Sequence, residues 1–278
     1  MAVAIIAPGA MGAAIGQRLV ENGVEVRTSL TGRSPSSRQR AEAAGLQPVS
    51  DEAIAACDFI LSIVPPGEAL ALATRLAPVL AQTTHRPVYV DCNAISPATA
   101  QTVSMAFPSP QVRFVDGSII GGPPKPGTRG PSLYVSGADA TALTALNAHG
   151  LVVKLLDDRI GSASALKMSY AGITKGLTAL GSAMILAAGR HGAAEALRAE
   201  LAESQPELLQ RFAQSVPDMA PKAYRWVAEM EEIADFAGED AAIRDIYLGM
   251  ARLYADLAED QAGDKAKAAH LRAFLQGS

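Results

Sequence analysis

The sequence predicts a parallel, doubly wound α/β sheet followed by an all-α domain, the two joined by one long helix. Three observations carry this. A short run of mostly β-branched residues, a glycine turn and a helical stretch open the chain in that order. Strand-like and helix-like segments then alternate to about residue 156, the pattern of a sheet with helices on its faces. After residue 160 strand signals cease and only helical spacing remains. The chain has 278 residues, which suits two domains, and the expected domains are 1–160 and 161–278.

Val3-Ala4-Ile5-Ile6 suits a strand buried on both faces. The turn Ala7-Pro8-Gly9-Ala10-Met11-Gly12 follows, and residues 13–22 have helical spacing with Ile15, Leu19 and Val20 on one side. Gly23 stops that helix. The turn fits the dinucleotide fingerprint G-x-G-x-x-G in its last two glycines, with Ala7 in place of the first. Gly9 lets the backbone of Ala10 and Met11 approach a pyrophosphate, and Gly12 lets helix and strand pack closely. The helix N-terminus adds partial positive charge. An ordinary tight turn between strand and helix is the plain alternative.

The second strand, 24–30, decides which dinucleotide is expected. An acid at its end would bond a ribose 2′-OH, and Glu25 comes too early for that. The strand runs instead into Thr31-Gly32-Arg33-Ser34, with Arg38 and Arg40 nearby. A guanidinium and hydroxyls suit a 2′-phosphate, because Arg makes charge-assisted bidentate bonds to phosphate oxygens. The expected cofactor is therefore NADP, with NADPH preferred over NADH; a solvated loop arginine is the alternative for Arg33.

A short helix at 53–57 precedes a buried strand at 59–64 that ends in Pro65-Pro66. A helix is expected at 68–80, and strands at 87–91, 112–116, 133–136 and 152–155. This makes the first domain a Rossmann-type sheet, whose ligands sit beyond the carboxyl ends of the strands. Val64-Pro65-Pro66, Asp91-Cys92-Asn93 and Asp116-Gly117-Ser118 then face the cofactor. Asn93 either orients the nicotinamide amide or the substrate, or serves as a turn residue.

Composition excludes several classes. The net charge of −4 argues against a nucleic-acid partner. Two cysteines and four scattered histidines show neither a disulfide framework nor metal-ligand spacing. The apolar start lacks a basic segment and its first Arg is at 18, so it is not read as a signal peptide. A cytoplasmic protein is expected.

Residues 162–190 form one helical stretch rich in Ala, Gly, Ser, Met and Leu, roughly 43 Å long at about 1.5 Å per residue. Lys167 and Lys175 interrupt it, which disfavours a membrane span, and an interdomain helix is expected. Further helices are read at 194–202, 207–215, 221–236, 240–257 and 264–275. Arg225 and Trp226 could reach the substrate pocket, but an amphipathic core helix with Arg225 and Glu229 paired one turn apart is expected. The apolar area of the long helix exceeds what one small domain covers, so a homodimer through the helical domain is expected.

The chain resembles the β-hydroxyacid dehydrogenases with a 6-phosphogluconate-dehydrogenase-like NAD(P)-binding domain. The matching segments are Ile6-Ala7-Pro8-Gly9-Ala10-Met11-Gly12, Ser62-Ile63-Val64-Pro65, Asp91-Cys92-Asn93-Ala94-Ile95-Ser96-Pro97, Asp116-Gly117-Ser118-Ile119-Ile120-Gly121-Gly122 and residues 161–167. They follow the family's order and spacing over about residues 1–190. The resemblance implies an oxidoreductase acting between a CH–OH and a C=O carbon of a small, hydroxyacid-like substrate, with Lys167 as general acid/base. A lysine on a helix of small and apolar residues also has a physical case. Burial would lower its pKa, and its ammonium would stabilise an alkoxide; snorkelling to water is the alternative. Tyr170 and Thr174 share its helix face and would flank the substrate.

Two departures point to a changed substrate pocket. The family has asparagine one turn after the lysine, where this chain has Ala171 beside Tyr170. The family's serine before the paired glycines Gly121-Gly122 is Ile120 here, and the hydroxyl appears earlier, at Ser118. An imine reductase is one rival, since the Tyr170 phenol could donate a proton. A dinucleotide-binding regulatory protein without turnover is another.

Overall fold

A computed structural model of the protein describes residues 1–107 and 111–277. The chain divides into two compact units, Met1–Lys167 and Met168–Ser278.

The first unit is built on an eight-stranded sheet in the order β3-β2-β1-β4-β5-β6-β7-β8. The strands are β1 (Ala2–Ile6), β2 (Glu25–Thr28), β3 (Gln47–Pro48), β4 (Phe59–Ser62), β5 (Val88–Asp91), β6 (Arg113–Ile120), β7 (Ser132–Ser136) and β8 (Val152–Leu155). All neighbours pair in parallel except β6 with β7. The helices are α1 (Ala10–Glu21), α2 (Pro35–Ala43), α3 (Asp51–Ala55), α4 (Ala69–Gln82) and α5 (Pro97–Ser104). The run Val3-Ala4-Ile5-Ile6 has no polar side because both faces are covered. Val3 and Ile5 join a core with Leu19 of α1, and Ala4 and Ile6 join another with Leu72 and Leu76 of α4. Ala7 packs its methyl into that second core, so alanine is accommodated where the fingerprint has glycine.

Helix α6 (Ser162–Arg190) begins in the first unit. Its start is held by Asp116 of β6. In the second unit α6 continues, followed by α7 (Ala194–Ser204), α8 (Pro206–Met219), α9 (Ala223–Phe236), α10 (Ala241–Ala262) and α11 (Ala266–Gln276). The small residues of α6 admit close neighbours. A Cβ on Gly181 would lie 2.5 Å from the Phe212 ring of α8, and one on Gly172 would lie 2.7 Å from the Tyr247 hydroxyl of α10. By length and composition α6 could cross a membrane. Met168, Ala171, Ala179 and Ile185 on it are instead buried in protein, as in a core helix.

Strand β6 runs to Ile120, four residues past the expected end at 116. Gly117 was expected just past the strand end, facing the cofactor. It is a strand residue at a crowded point, where a Cβ would lie 3.0 Å from Val90 and 3.1 Å from the Asp91 carbonyl. The register of β5 ends at Asp91↔Asp116, while β7 pairs along Asp116 to Ile120. Residues 117–120 therefore overhang the end of β5.

Candidate active site

The loops after β1, β2, β4 and β5 and the overhang of β6 lie at one edge of the sheet, the carboxyl edge of its parallel strands. At the first loop, Gly9 stands just before α1 with φ −70° and ψ −173°, and no side chain caps the helix. The first turn of α1 holds no acidic residue, and its leading N–H groups have no intrahelical partner. A Cβ on Gly9 would meet nothing within 4 Å, whereas one on Gly12 would lie 2.2 Å from the Ala7 carbonyl oxygen. The two glycines thus differ in purpose. Gly9 leaves open space before uncapped donors, and Gly12 lets α1 approach β1. An anion such as a dinucleotide pyrophosphate fits this cradle.

The segment after β2 was expected to take a 2′-phosphate. Thr31 and Ser34 are exposed and Arg33 is 21% exposed by its side chain. Ser34 caps α2, accepting from the Ser37 N–H at 3.3 Å. Arg38 donates to the Leu30 carbonyl and Arg40 to the Pro8 carbonyl, so these two brace the loops. Arg33 donates from Nη1 to Glu68 Oε2 at 3.2 Å. Glu68 lies after β4, in a 3-10 turn at Pro66–Glu68, and no local pattern signals this pairing.

Asn93 is buried and committed within the fold. Its Oδ1 accepts from the Val64 N–H at 2.7 Å and its Nδ2 donates to Ser62 Oγ at 2.9 Å. It clamps the end of β4, and hence Val64 and Pro65, to the end of β5. These bonds reach residues 29 and 31 positions away, a cross-strand clamp and not a local turn or cap.

Asp116 is fully buried. Its Oδ2 accepts from Ser136 Oγ, the Gly161 N–H and the Ser164 N–H at 2.9–3.1 Å, and its Oδ1 accepts from Ser164 Oγ at 2.6 Å. Burial raises the carboxyl pKa above the ordinary range, opposed by these hydrogen bonds. The carboxylate thus satisfies donors at the start of α6. Three residues on from each anchor, Lys167 Nζ donates to the Ile119 carbonyl at 2.8 Å. One strand therefore both fixes the helix start and receives the lysine. Sequence reading had placed Asp116 facing the cofactor; the structure makes it a helix anchor.

Ser118 lies fully buried within β6, and its hydroxyl has no hydrogen-bond partner among the described residues. Gly121 has φ +125°, which favours glycine, and a Cβ there would press on Pro131 at 3.1 Å; Gly122 is exposed with open space around it. Arg18 of α1, not singled out in the sequence, holds the segment beyond. Its Nη2 donates to the carbonyls of Lys125 and Thr128 at 2.9 and 3.1 Å.

In the second unit Tyr170 is 49% exposed, and Thr174 Oγ1 donates to the Tyr170 carbonyl at 2.8 Å. The expected Arg225–Glu229 pair does not form. Glu229 pairs with Lys175, whose Nζ also lies 4.8 Å from the Trp226 ring centroid, while Arg225 lies over Tyr224 at 5.8 Å. Helix packing brings Lys175 nearer than the residue one turn away. Burial lowers the Lys175 pKa from its usual 10.5, opposed by Glu229. Among the described residues no cluster of metal-ligating side chains occurs.

Comparison with known proteins agrees with this geometry. The family model for the NAD binding domain of 6-phosphogluconate dehydrogenase matches residues 2–148, and a domain of unknown function matches residues 188–257. An uncharacterised 28.5 kDa protein of Methanothermus fervidus is 30% identical over 159 residues, 56% of this chain and 59% of that protein. The match thus spans less than two thirds of that relative. A solved conserved protein of unknown function, described as structurally similar to 3-hydroxyacid dehydrogenases, is 31% identical with a TM-score of 0.70, covering 94% of this chain and 99% of that one. The 3-hydroxyisobutyrate dehydrogenase of Mycobacterium tuberculosis shares the fold at 19% identity and TM-score 0.70, over 98% and 99% of the two chains. An imine reductase variant of Myxococcus stipitatus, solved with NAD+, shares it at 20% identity and TM-score 0.56, over 99% and 98%.

Proposed function

Because the chain belongs to the family of the 6-phosphogluconate dehydrogenase NAD-binding domain, we propose that it is an NADPH-dependent oxidoreductase acting on the carbonyl or hydroxyl carbon of a small, hydroxyacid-like substrate. The observation that carries this is the position of Lys167. Its Nζ is held on the Ile119 carbonyl at the same carboxyl edge that carries the Gly9 cradle.

The turn Gly9-Ala10-Met11-Gly12 would hold the pyrophosphate. Thr31, Arg33 and Ser34 would hold the 2′-phosphate. Val64 and Pro65, clamped by Asn93, would line the nicotinamide side. When bound, the nicotinamide supplies or accepts the hydride. Lys167 gives a proton to the substrate oxygen in reduction and takes it back in oxidation, and its ammonium stabilises the developing alkoxide. Gly121 and Gly122 let backbone approach the substrate, and Ser118 lies beneath that approach within β6. The protein acts as a cytoplasmic homodimer. Supporting that, Tyr170, Ile173, Leu180 and Met184 are exposed along α6, with Leu177 half-buried between them. Their spacing is the 3-4 repeat of a packing seam. No nucleic acid or membrane takes part.

Imine reduction is the second reading, favoured by the exposed Tyr170 phenol and the imine reductase neighbour. The test is nucleotide oxidation by wild type and Lys167→Ala over ketoacids, aldehydes and imines. Turnover of ketoacids or aldehydes, abolished in the variant with NADPH affinity unchanged, is expected. Turnover of imines alone, surviving in the variant, would select the second reading. Nucleotide binding without any turnover would select a regulatory protein.

A further inference from the structure

We propose that Glu68 sets the cofactor preference of this chain by restraining Arg33. The inference rests on the reading of Arg33 as the 2′-phosphate ligand. Three arginines follow β2, and two are tied to backbone carbonyls of the loops they brace, Arg38 to Leu30 and Arg40 to Pro8. Arg33 alone of the three is held by a carboxylate, through a single Nη1 contact to Glu68 Oε2. Glu68 is 51% exposed by its side chain and lies after β4, whereas Arg33 lies after β2. The pair therefore joins the loops of two strands that flank β1, across the loop that carries the Gly9 cradle.

An exposed ion pair of this kind is weak. A phosphate engages a guanidinium through two charge-assisted bonds and displaces a singly bonded carboxylate. The displaced Glu68 carboxylate stays beside a group carrying nearly two negative charges. Glu68 thus acts twice against NADPH. It occupies Arg33 before binding and repels the 2′-phosphate afterwards. NADH carries no phosphate there and meets neither effect. The consequence is a chain that favours NADPH less strongly than its arginine would allow.

The experiment is titration of wild type, Arg33→Ala, Glu68→Gln and Arg33→Ala/Glu68→Gln with NADPH and NADH, following nicotinamide fluorescence at low and high salt. Glu68→Gln is expected to tighten NADPH about three- to tenfold and to leave NADH within about twofold, as for one screened charge interaction at contact range. The gain shrinks at high salt, and shrinks in the Arg33→Ala background. Arg33→Ala is expected to weaken NADPH alone. If Glu68→Gln leaves the NADPH to NADH ratio unchanged, or weakens NADPH, the restraining role is overturned while the Arg33 reading stands. If Arg33→Ala weakens both nucleotides equally, the Arg33 reading itself falls, and this inference with it.

Discussion

Alanine at Gly9 and alanine at Gly12 are chemically the same change three residues apart, and the structure assigns them opposite consequences. A Cβ at Gly12 would sit 2.2 Å from the Ala7 carbonyl oxygen and 3.2 Å from the Ile5 side chain. Ordinary contact lies about 1 Å further out, so α1 must shift by about that much from β1, at about 1–3 kcal/mol for an overpacked site. At Gly9 a Cβ meets nothing within 4 Å, and the backbone there is open to alanine. Alanine is a poorer N-cap than glycine but orders the unfolded chain, and the two effects leave stability within about 1 kcal/mol of wild type. The methyl nevertheless fills the space in front of the uncapped N–H groups. Losing two charge-assisted bonds, each worth about 1.5–3 kcal/mol, weakens NADPH about 100-fold or more. Denaturant unfolding and nucleotide fluorescence on both variants read this directly. Wild-type affinity in Gly9→Ala would show that phosphates bind elsewhere. Wild-type stability in Gly12→Ala would show that the close helix–strand approach carries no weight.

Asp116→Asn keeps one acceptor oxygen and turns an NH2 toward donors that now converge on a carboxylate. We expect a loss of about 2–4 kcal/mol in unfolding free energy, with turnover reduced and NADPH affinity unchanged; unaltered turnover would uncouple Asp116 from Lys167. Lys175 has a lowered pKa in the folded chain. Below its usual 10.5 the folded chain therefore releases this proton before the unfolded chain does. Its contribution makes stability rise with pH through the window from the lowered value up to 10.5. Unfolding from pH 7 to 10.5 should show that slope in wild type and a smaller one in Lys175→Met/Glu229→Gln, which leaves no lone buried carboxylate; parallel curves would refute it. Ile173→Asp and Leu180→Asp each place a charge on the exposed seam of α6, and light scattering should report monomer for both against dimer for wild type. Dimers throughout would move the interface elsewhere.

Much of the fold is legible from short-range pattern. The strand–turn–helix opening, the alternation to β8 and the reach of α6 all follow from spacing and composition. So does the close helix–strand approach at Gly12, because that steric contact is local. Three kinds of feature escape such a reading. Helices α2 and α5 are short and polar or small in composition, so they carry little periodicity. Gly117 reads as lying past a strand end, but its missing side chain serves close approach inside the strand. The contacts of Arg18, Glu68, Asp116 and Glu229 join residues 20 to 132 positions apart, and no local pattern encodes them. Glu229 is the sharpest case. A partner stood one helical turn away in the sequence, and packing supplied a different one.

The overhang of β6 bears on how such a protein can diverge. Residues 117–120 have a ladder partner on one side only, and they sit apart from the cofactor turn that precedes α1. Gly117, Ser118 and Ile119 are buried, Gly117 at a crowded point and Ile119 in the core, so the half-buried Ile120 is the position that can change shape and polarity without disturbing the glycine turn or the anchor that seats the lysine. Ser118 and Ile120, where the sequence reading expects a changed substrate pocket, lie in that stretch. Under the proposed oxidoreductase reading, directed evolution of substrate range would therefore best begin at Ile120, with Asp116, Lys167 and the glycine turn kept.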